Sequence, residues 1–347
     1  MEVYDVTIIG GGPAGLYSSF YSGLRAMNVQ IIEAQPYLGG KLNLYSEKIV
    51  WDVGGIPPMP AGQFIQHLVN QAKTFQPTIR TGEKVNGIKK TVDGNFQLQT
   101  TTGKTYLTKT ILLAMGNGTL DPSPTPFFTN KGEPLKNVQI AVTDFEALKQ
   151  KRVFISGGGQ SAIDWANTLA PIAKEVTLVY RREAFKAHES EIERVTSGPV
   201  RCMLQADLVD KKLTADGKII EAITILNKET AEEEMILVDE VIVCHGFNQK
   251  NELFEQNDVG LEVFNEYYVE TTPQTKTAIS GVFSLGDAAS YTGKVHLIAG
   301  AFHDAINAVN AAKLYIDPKA DAIGTVSTYA DKLKPKVATV WKQYATE

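Results

Sequence analysis

The sequence predicts an α/β fold made of two parallel-sheet domains, the second inserted into the first. Three observations predict it. "GGGPAG" at 10–15 stands between the apolar run "YDVTII" and a helix-patterned run that leads to "VQIIEA". "GGGQSA" at 157–162 repeats the device between "RVFIS" and a run ending in "EVTLVYRR". A further strand-like run, "GVFSLGD", ends in Gly286 and Asp287 without opening a third such unit, and it makes best sense folding back onto the first domain.

The elements follow in order. Residues 3–9 alternate and then turn fully apolar, as a buried parallel strand does. Gly10, Gly12 and Gly15 make a turn in which Pro13 suits the first turn of a helix. Ala14, Leu16, Tyr17, Phe20 and Leu24 then recur at helical spacing, and "VQIIEA" is the second strand. The segment "GGKLNLYSEKIVWDVGGIPPMPAG" is Gly- and Pro-rich and reads as loop. A helix is expected at 62–75 and a β-meander at 84–115, with turns at "DGN" and "TGK". "GNGTLDPSPTPFFTNKGEP" has linker composition. The order then recurs: strand, glycine turn, a helix to about residue 173, strand, and a second meander with a hairpin signal at Asp216 and Gly217. This recurrence predicts two Rossmann-like dinucleotide-binding domains of three-layer ββα architecture. The first is discontinuous, 1–117 and 248–347 with an extension from about 319, and the second spans 118–247. "GNGTLDPSP" and "CHGFNQKN" are the natural hinges.

Composition narrows the functional classes. The length of 347 residues suits two domains, and 43% hydrophobic with 21% charged residues is ordinary for a soluble protein. A net charge of −5 offers no global attraction to nucleic acid or anionic lipid. No apolar run approaches the roughly 18 residues of a membrane span. The opening "MEVYDVTII" carries an acid and enters a strand at once, unlike a signal peptide. Cys202 and Cys244 form no CxxC and no metal spacing, and the expected compartment is the cytoplasm.

The two glycine turns end differently. A glycine turn at a helix N-terminus binds pyrophosphate through backbone N–H groups and the helix dipole. Gly10, Gly12, Pro13, Ala14 and Gly15 form the first site, and Glu33 closes its second strand where a carboxylate can accept hydrogen bonds from a ribose diol. Gly157, Gly159, Gln160, Ser161 and Ala162 form the second, but Arg181 and Arg182 stand in the place of the acid. Guanidinium groups pair with a 2′-phosphate that a carboxylate would repel, so the second nucleotide is expected to be NADP(H). Lys186 is a further cation nearby. Asp287, after a strand and Gly286, is placed to accept hydrogen bonds from a ribitol hydroxyl, which makes the first nucleotide FAD. Hydride transfer from nicotinamide to flavin N5 needs orientation and no side-chain acid or base, so no catalytic residue is expected. His296 and His303 read as structural.

Together, "GGGPAG" with Glu33, "GGGQSA" with "YRR" and "GVFSLGDAA" resemble the two-dinucleotide flavoprotein reductases across essentially the whole chain, and within them the thioredoxin reductase-like group. Thioredoxin reductases carry a redox CxxC in the second domain, whereas "VQIAVTDFEALKQKRVFISGGG" holds no cysteine. Lacking that dithiol, and with "GGKLNLYSEK" and a C-terminal extension, the chain resembles the thioredoxin reductase-like ferredoxin/flavodoxin–NADP⁺ reductases. The resemblance implies a homodimer with bound FAD that exchanges single electrons with ferredoxin or flavodoxin. It implies FAD contacts at Glu33, Lys41, Tyr45, Val85, Leu120, Asp287 and Thr328, although the family more often has Gln where this chain has Lys41. It also implies that the tail crosses the neighbouring subunit's flavin, with Tyr329 over one face and Tyr45 over the other. Lys332, Lys334, Lys336 and Lys342 would meet an acidic carrier. Two alternatives stay open: another NADPH-dependent flavin reductase or oxidase, and a non-catalytic NADPH-sensing flavoprotein. A flavin monooxygenase would usually show an FxGxxxHxxxW fingerprint, which the chain lacks.

Overall fold

The computed structural model describes residues 2–118, 123–129, 132–247, 252–255, 258–264, 268–324 and 326–344. The chain forms two compact units. Met1–Asn43, Ile49–Leu120 and Gln249–Glu347 make the first; Leu44–Lys48 and Asp121–Asn248 make the second.

In the first unit a parallel sheet runs in the order Thr78–Thr81, Val29–Glu33, Val3–Ile9, Thr105–Leu113, with Val282–Ser284 also pairing to the last strand. The strand Thr105–Leu113 has two roles. Its first residues pair antiparallel with Phe96–Thr100 in the meander, and its last residues pair parallel with Val282–Ser284. Side chains alternate across the sheet with the period of 2 that a strand imposes. Ile8, Ile31 and Leu112 pack under the helices Pro13–Leu24, Ala61–Ala72 and Ile298–Ile316, whereas Ile9, Ile32 and Leu113 pack under the meander residues Ile88, Phe96 and Leu98. Both faces are therefore covered, which is why these strands read as continuous apolar runs.

The second unit repeats the plan. Its parallel sheet runs Arg201–Met203, Glu175–Val179, Arg152–Ser156, Glu240–Val243, Val138–Gln139. The helix Gln160–Leu169 covers the Ile155 and Leu178 face, and the hairpin strands Ala206–Leu213, Ile220–Asn227 and Glu233–Leu237 cover the Phe154 and Val241 face. Helix, parallel sheet and meander make three layers in each unit, as the sequence predicted.

Several boundaries differ from expectation. The helix expected to reach about residue 173 ends at Leu169, because Pro171 has no N–H to continue the ladder. The helix expected at 62–75 ends at Ala72 and tightens into a 3₁₀ turn, Lys73–Phe75. The units divide after Leu120 and after Asn248, and Leu44–Lys48 also belongs to the second unit. That assignment has a local cause: Tyr45 and Lys48 bond to the helix Gln160–Leu169.

Candidate functional site

In the first unit the strand Val3–Ile9 delivers the chain to a turn that only glycine can make. Gly10 has φ of +108°, and a Cβ there would lie 2.4 Å from the Ala114 carbonyl oxygen. A Cβ on Gly15 would lie 2.0 Å from the Gly10 oxygen, so its absence lets the helix Pro13–Leu24 seat on the strand. Gly12 is the helix N-cap and has no side-chain cap, which leaves the first N–H groups for a ligand. Gly40, with φ of +58°, faces it; a Cβ on Gly40 would lie 2.8 Å from the Gly12 Cα. Two glycine backbones thus wall a cradle that side chains would fill.

Glu33 closes the second strand beside this turn. Its carboxylate accepts hydrogen bonds from Gly11 N at 2.6 Å and Gln35 N at 2.7 Å. Burial raises its pKa, while the N–H donors of Gln35, Gly11 and Ala34 oppose that shift. A carboxylate has about four lone-pair sites, so acceptor capacity remains for a diol.

The Gly286 and Asp287 turn comes to the same place. Gly286, with φ of +65°, packs so closely that its Cβ would be 3.0 Å from the Ala14 Cβ. Asp287 is partly exposed, with His296 Nδ1 3.5 Å from its Oδ1. The structure therefore brings together Gly10, Gly12, Pro13, Ala14, Gly15, Glu33, Gly286 and Asp287. These residues fit a dinucleotide: donors at a helix N-terminus, backbone-walled space and two carboxylates at its ends.

Other expected FAD contacts stand differently. Lys41 is exposed. Val85 buries its side chain between sheet and meander, which leaves only its backbone for a ligand. Leu120 lies outside the described residues. Thr328 and Tyr329 sit on an exposed 3₁₀ turn, Ser327–Tyr329, with Tyr329 73% exposed. The chain before them is tied to Arg25, which donates to Asn310 Oδ1 at 2.8 Å and to the Asp321 carbonyl at 2.5 Å. Arg25 caps the far end of the 12-residue helix Pro13–Leu24, roughly 18 Å from the cradle. Residues 321–324 are thus held at the end of that helix away from the cradle.

In the second unit Gly157 has φ of +149°, and a Cβ there would meet the Cys244 carbonyl at 2.7 Å. A Cβ on Gly158 would enter the Tyr180 ring. Gly159 is the uncapped N-cap of the helix Gln160–Leu169 and faces open space. Ala162 is fully buried beneath it. The chain after the strand Glu175–Val179 folds over this turn: Lys186 N donates to Gly158 O at 2.7 Å, and His188 N donates to Gln160 Oε1 at 2.9 Å. Arg181 and Arg182 stay exposed beside it. Their carbonyls are held from behind, by Lys228 Nζ at 3.3 Å and Gln205 N at 3.0 Å. Burial lowers the pKa of His245, and the Arg181 charge adds to the effect. The arrangement fits a phosphorylated ribose: helix donors for pyrophosphate and two solvent-facing guanidinium groups for a further phosphate.

A cavity of about 60 Å³ lies in this unit, lined in part by Tyr45, Ser161, Trp165, Cys244 and Phe247. The Tyr45 hydroxyl is 3.0 Å from Ser161 Oγ, and Lys48 Nζ reaches Asp164 at 3.0 Å and Thr168 at 2.5 Å over the Trp165 ring. Tyr45, which the resemblance assigns to a flavin face, is here a residue of the second unit. The two cysteines are free. Burial, with the Asp164 charge adding to it, pushes the Cys244 thiol up to about 12, so it stays protonated and unreactive.

Sequence reasoning missed a buried cluster under the Gly286 turn. Asp304 Oδ2 accepts from Gly286 N at 3.0 Å and Lys294 Nζ at 2.8 Å, and Oδ1 accepts from the Tyr291 hydroxyl at 2.6 Å. A signal was present: Asp304 stands on the buried stripe of Ala301, Ala305, Ala308 and Val309. An acid on such a stripe must have a partner.

Comparison with known proteins shows the family. The pyridine nucleotide-disulphide oxidoreductase family matches residues 4–312. Ferredoxin–NADP reductase 1 of Bacillus cytotoxicus is 42% identical over 342 residues, covering 99% of this chain and 98% of that protein. Ferredoxin–NADP reductase 1 of Lysinibacillus sphaericus is 42% identical over 337 residues, covering 96% of each. Among solved structures, Lactococcus lactis thioredoxin reductase superposes with a TM-score of 0.71 at 21% identity, covering 90% of this chain and 99% of that one, a likeness of fold. The chain belongs to the pyridine nucleotide-disulphide oxidoreductase family, within which its relatives at about 40% identity over nearly their whole length are ferredoxin–NADP reductases.

Proposed function

We propose that this protein passes electrons between NADPH and ferredoxin or flavodoxin through bound FAD. The observation that carries the reading is the pair of glycine cradles with opposite charge at their ends, Glu33 in one and Arg181 with Arg182 in the other, in a chain 42% identical to a ferredoxin–NADP reductase. FAD would supply the change from a two-electron donor to one-electron acceptors. The chain's part is binding and orientation. Gly10, Gly12, Pro13, Ala14 and Gly15 shape the turn that seats the FAD pyrophosphate on the free N–H groups of the helix N-terminus, Pro13 having no N–H and Gly10 giving its own to the Ile32 carbonyl, while Glu33 takes the ribose and Gly286 and Asp287 take the ribityl chain. Gly157, Gly159, Gln160, Ser161 and Ala162 do the same for NADPH, and Arg181 and Arg182 select its 2′-phosphate.

The helix Lys334–Tyr344 supports a homodimer. Val337, Val340 and Trp341 fall on one exposed helical face, which a second subunit would cover. In that dimer Thr328 and Tyr329 serve the neighbouring subunit's flavin. A flavin-stacking role for Tyr45 requires its hydroxyl to leave Ser161. Free cysteines and the use of NADPH fit the cytoplasm.

Anaerobic titration with NADPH, followed by mixing with ferredoxin or flavodoxin, tests the function. The flavin absorbance should bleach on titration and recover on mixing, faster than it recovers with oxygen. No bleaching would point to a sensor. Bleaching with recovery only by oxygen would point to an oxidase.

A further inference from the structure

We propose that Asp304, Lys294 and Tyr291 are positioning residues: a buried, charge-balanced support that sets the Gly286 and Asp287 turn against the first glycine cradle and so tunes the FAD there, an inference that rests on the reading of that turn as an FAD contact. The Asp304 side chain is fully buried and the Lys294 side chain is 4% exposed. The Asp304 carboxylate ties three stretches of chain at one point. It accepts from the backbone of the turn at Gly286, from the Lys294 ammonium and from the Tyr291 hydroxyl, while Asp304 itself belongs to the helix Ile298–Ile316. Lys294 Nζ also donates to the Val295 carbonyl at 3.0 Å. Burial and the Asp304 hydrogen bond raise the Tyr291 pKa, so its hydroxyl remains a donor.

Stability alone does not account for this choice of residues. Apolar side chains of similar volume often replace a buried ion pair without loss. They could not accept the Gly286 N–H. That bond matters because Gly286 holds a left-handed backbone so near Ala14, in the first turn of the cradle's helix, that a Cβ on Gly286 would lie 3.0 Å from the Ala14 Cβ. A shift of the turn would move Asp287 and the cradle relative to each other. The cluster also places one negative and one positive charge beneath the cradle, screened from water, so their balance acts on any charge gained by a ligand above them.

Three variants of the FAD-loaded protein test this by FAD release on dilution, by the flavin midpoint potential and by thermal unfolding. Asp304→Asn and Lys294→Met should each weaken FAD binding about tenfold or more, the scale of one charged hydrogen bond. They should move the potential in opposite directions. Asp304→Asn leaves an ammonium uncompensated, which favours the negative charge of reduction and raises the potential; Lys294→Met lowers it. The double variant should return the potential close to that of the unaltered protein. A purely structural role would lower the unfolding temperature without opposite potential shifts, and that result overturns the proposal. Should the charge variants fail to fold, Tyr291→Phe keeps both charges and removes one hydrogen bond. A few-fold faster FAD release from it supports the proposal, and unchanged release overturns it. Asp287→Ala separates the two levels. If it leaves FAD release unchanged, the FAD contact itself is wrong and the proposal falls with it. If it speeds release while the Asp304 and Lys294 variants change neither release nor potential, only the support role is wrong.

Discussion

Arg181 and Arg182 decide the coenzyme on the proposed function. They are exposed, their backbone is fixed from behind, and no carboxylate stands at the corresponding place. Changing both to Ala should weaken NADPH by about 2–4 kcal/mol, given 1.5–3 kcal/mol per charged hydrogen bond and incomplete additivity. NADH kinetics should barely move, because NADH carries no 2′-phosphate. Steady-state KM values for the two coenzymes check this, and equal losses for both would remove the specificity role. These residues were legible in the sequence because the signal is local. The strand, the glycine turn and the strand-end residue lie within one βαβ unit, so spacing alone brings them together. Asp304 was not legible as a partner of Gly286, because that contact depends on how the helix Ile298–Ile316 docks.

The segment Leu44–Lys48 shows the same limit for an element. Read along the chain it continues a Gly- and Pro-rich loop of the first domain, yet it folds as part of the second unit. Lys48 explains why. Its ammonium sits 4.4 Å from the Trp165 ring centroid, pairs with Asp164 and donates to Thr168, three partners on the helix Gln160–Leu169. Lys48→Met should lose about 2–4 kcal/mol from that attachment, from one charged hydrogen bond and a partly exposed cation–π contact. The expected outcome is faster limited proteolysis within residues 44–48, with the sheet of the second unit intact by circular dichroism. Unchanged cleavage would show that the Tyr45 bond to Ser161 suffices.

For the whole molecule, the exposed tail has the largest consequence. Arg25 holds residues 321–324 to the first unit, and Lys336 Nζ donates to the Thr74 carbonyl at 2.6 Å, but Tyr329, Val337, Val340 and Trp341 remain exposed. A chain shortened to end before Gly324 should reduce ferredoxin more slowly, with a smaller effect on a small-molecule dye. Both rates should be set beside the oligomeric state measured by sedimentation. If both activities fall in proportion to lost dimer, the tail serves assembly rather than the flavin or the carrier.

By itself, the sequence determined the α/β class, the duplicated strand–glycine–helix order, the contrast between Glu33 and the arginine pair, and the absence of a dithiol. Each is written in a short stretch whose geometry the backbone imposes: glycine where φ is positive or a Cβ would collide, period 2 in strands, and a charge at a strand end. Only the tertiary structure decided that Gly286 lies close to Ala14, that Asp304 and Lys294 share a buried site beneath that turn, and that Tyr45 bonds to Ser161. Those partners are far apart in the chain and are joined by packing, and packing depends on the shape of whole layers rather than on the spacing of neighbouring residues.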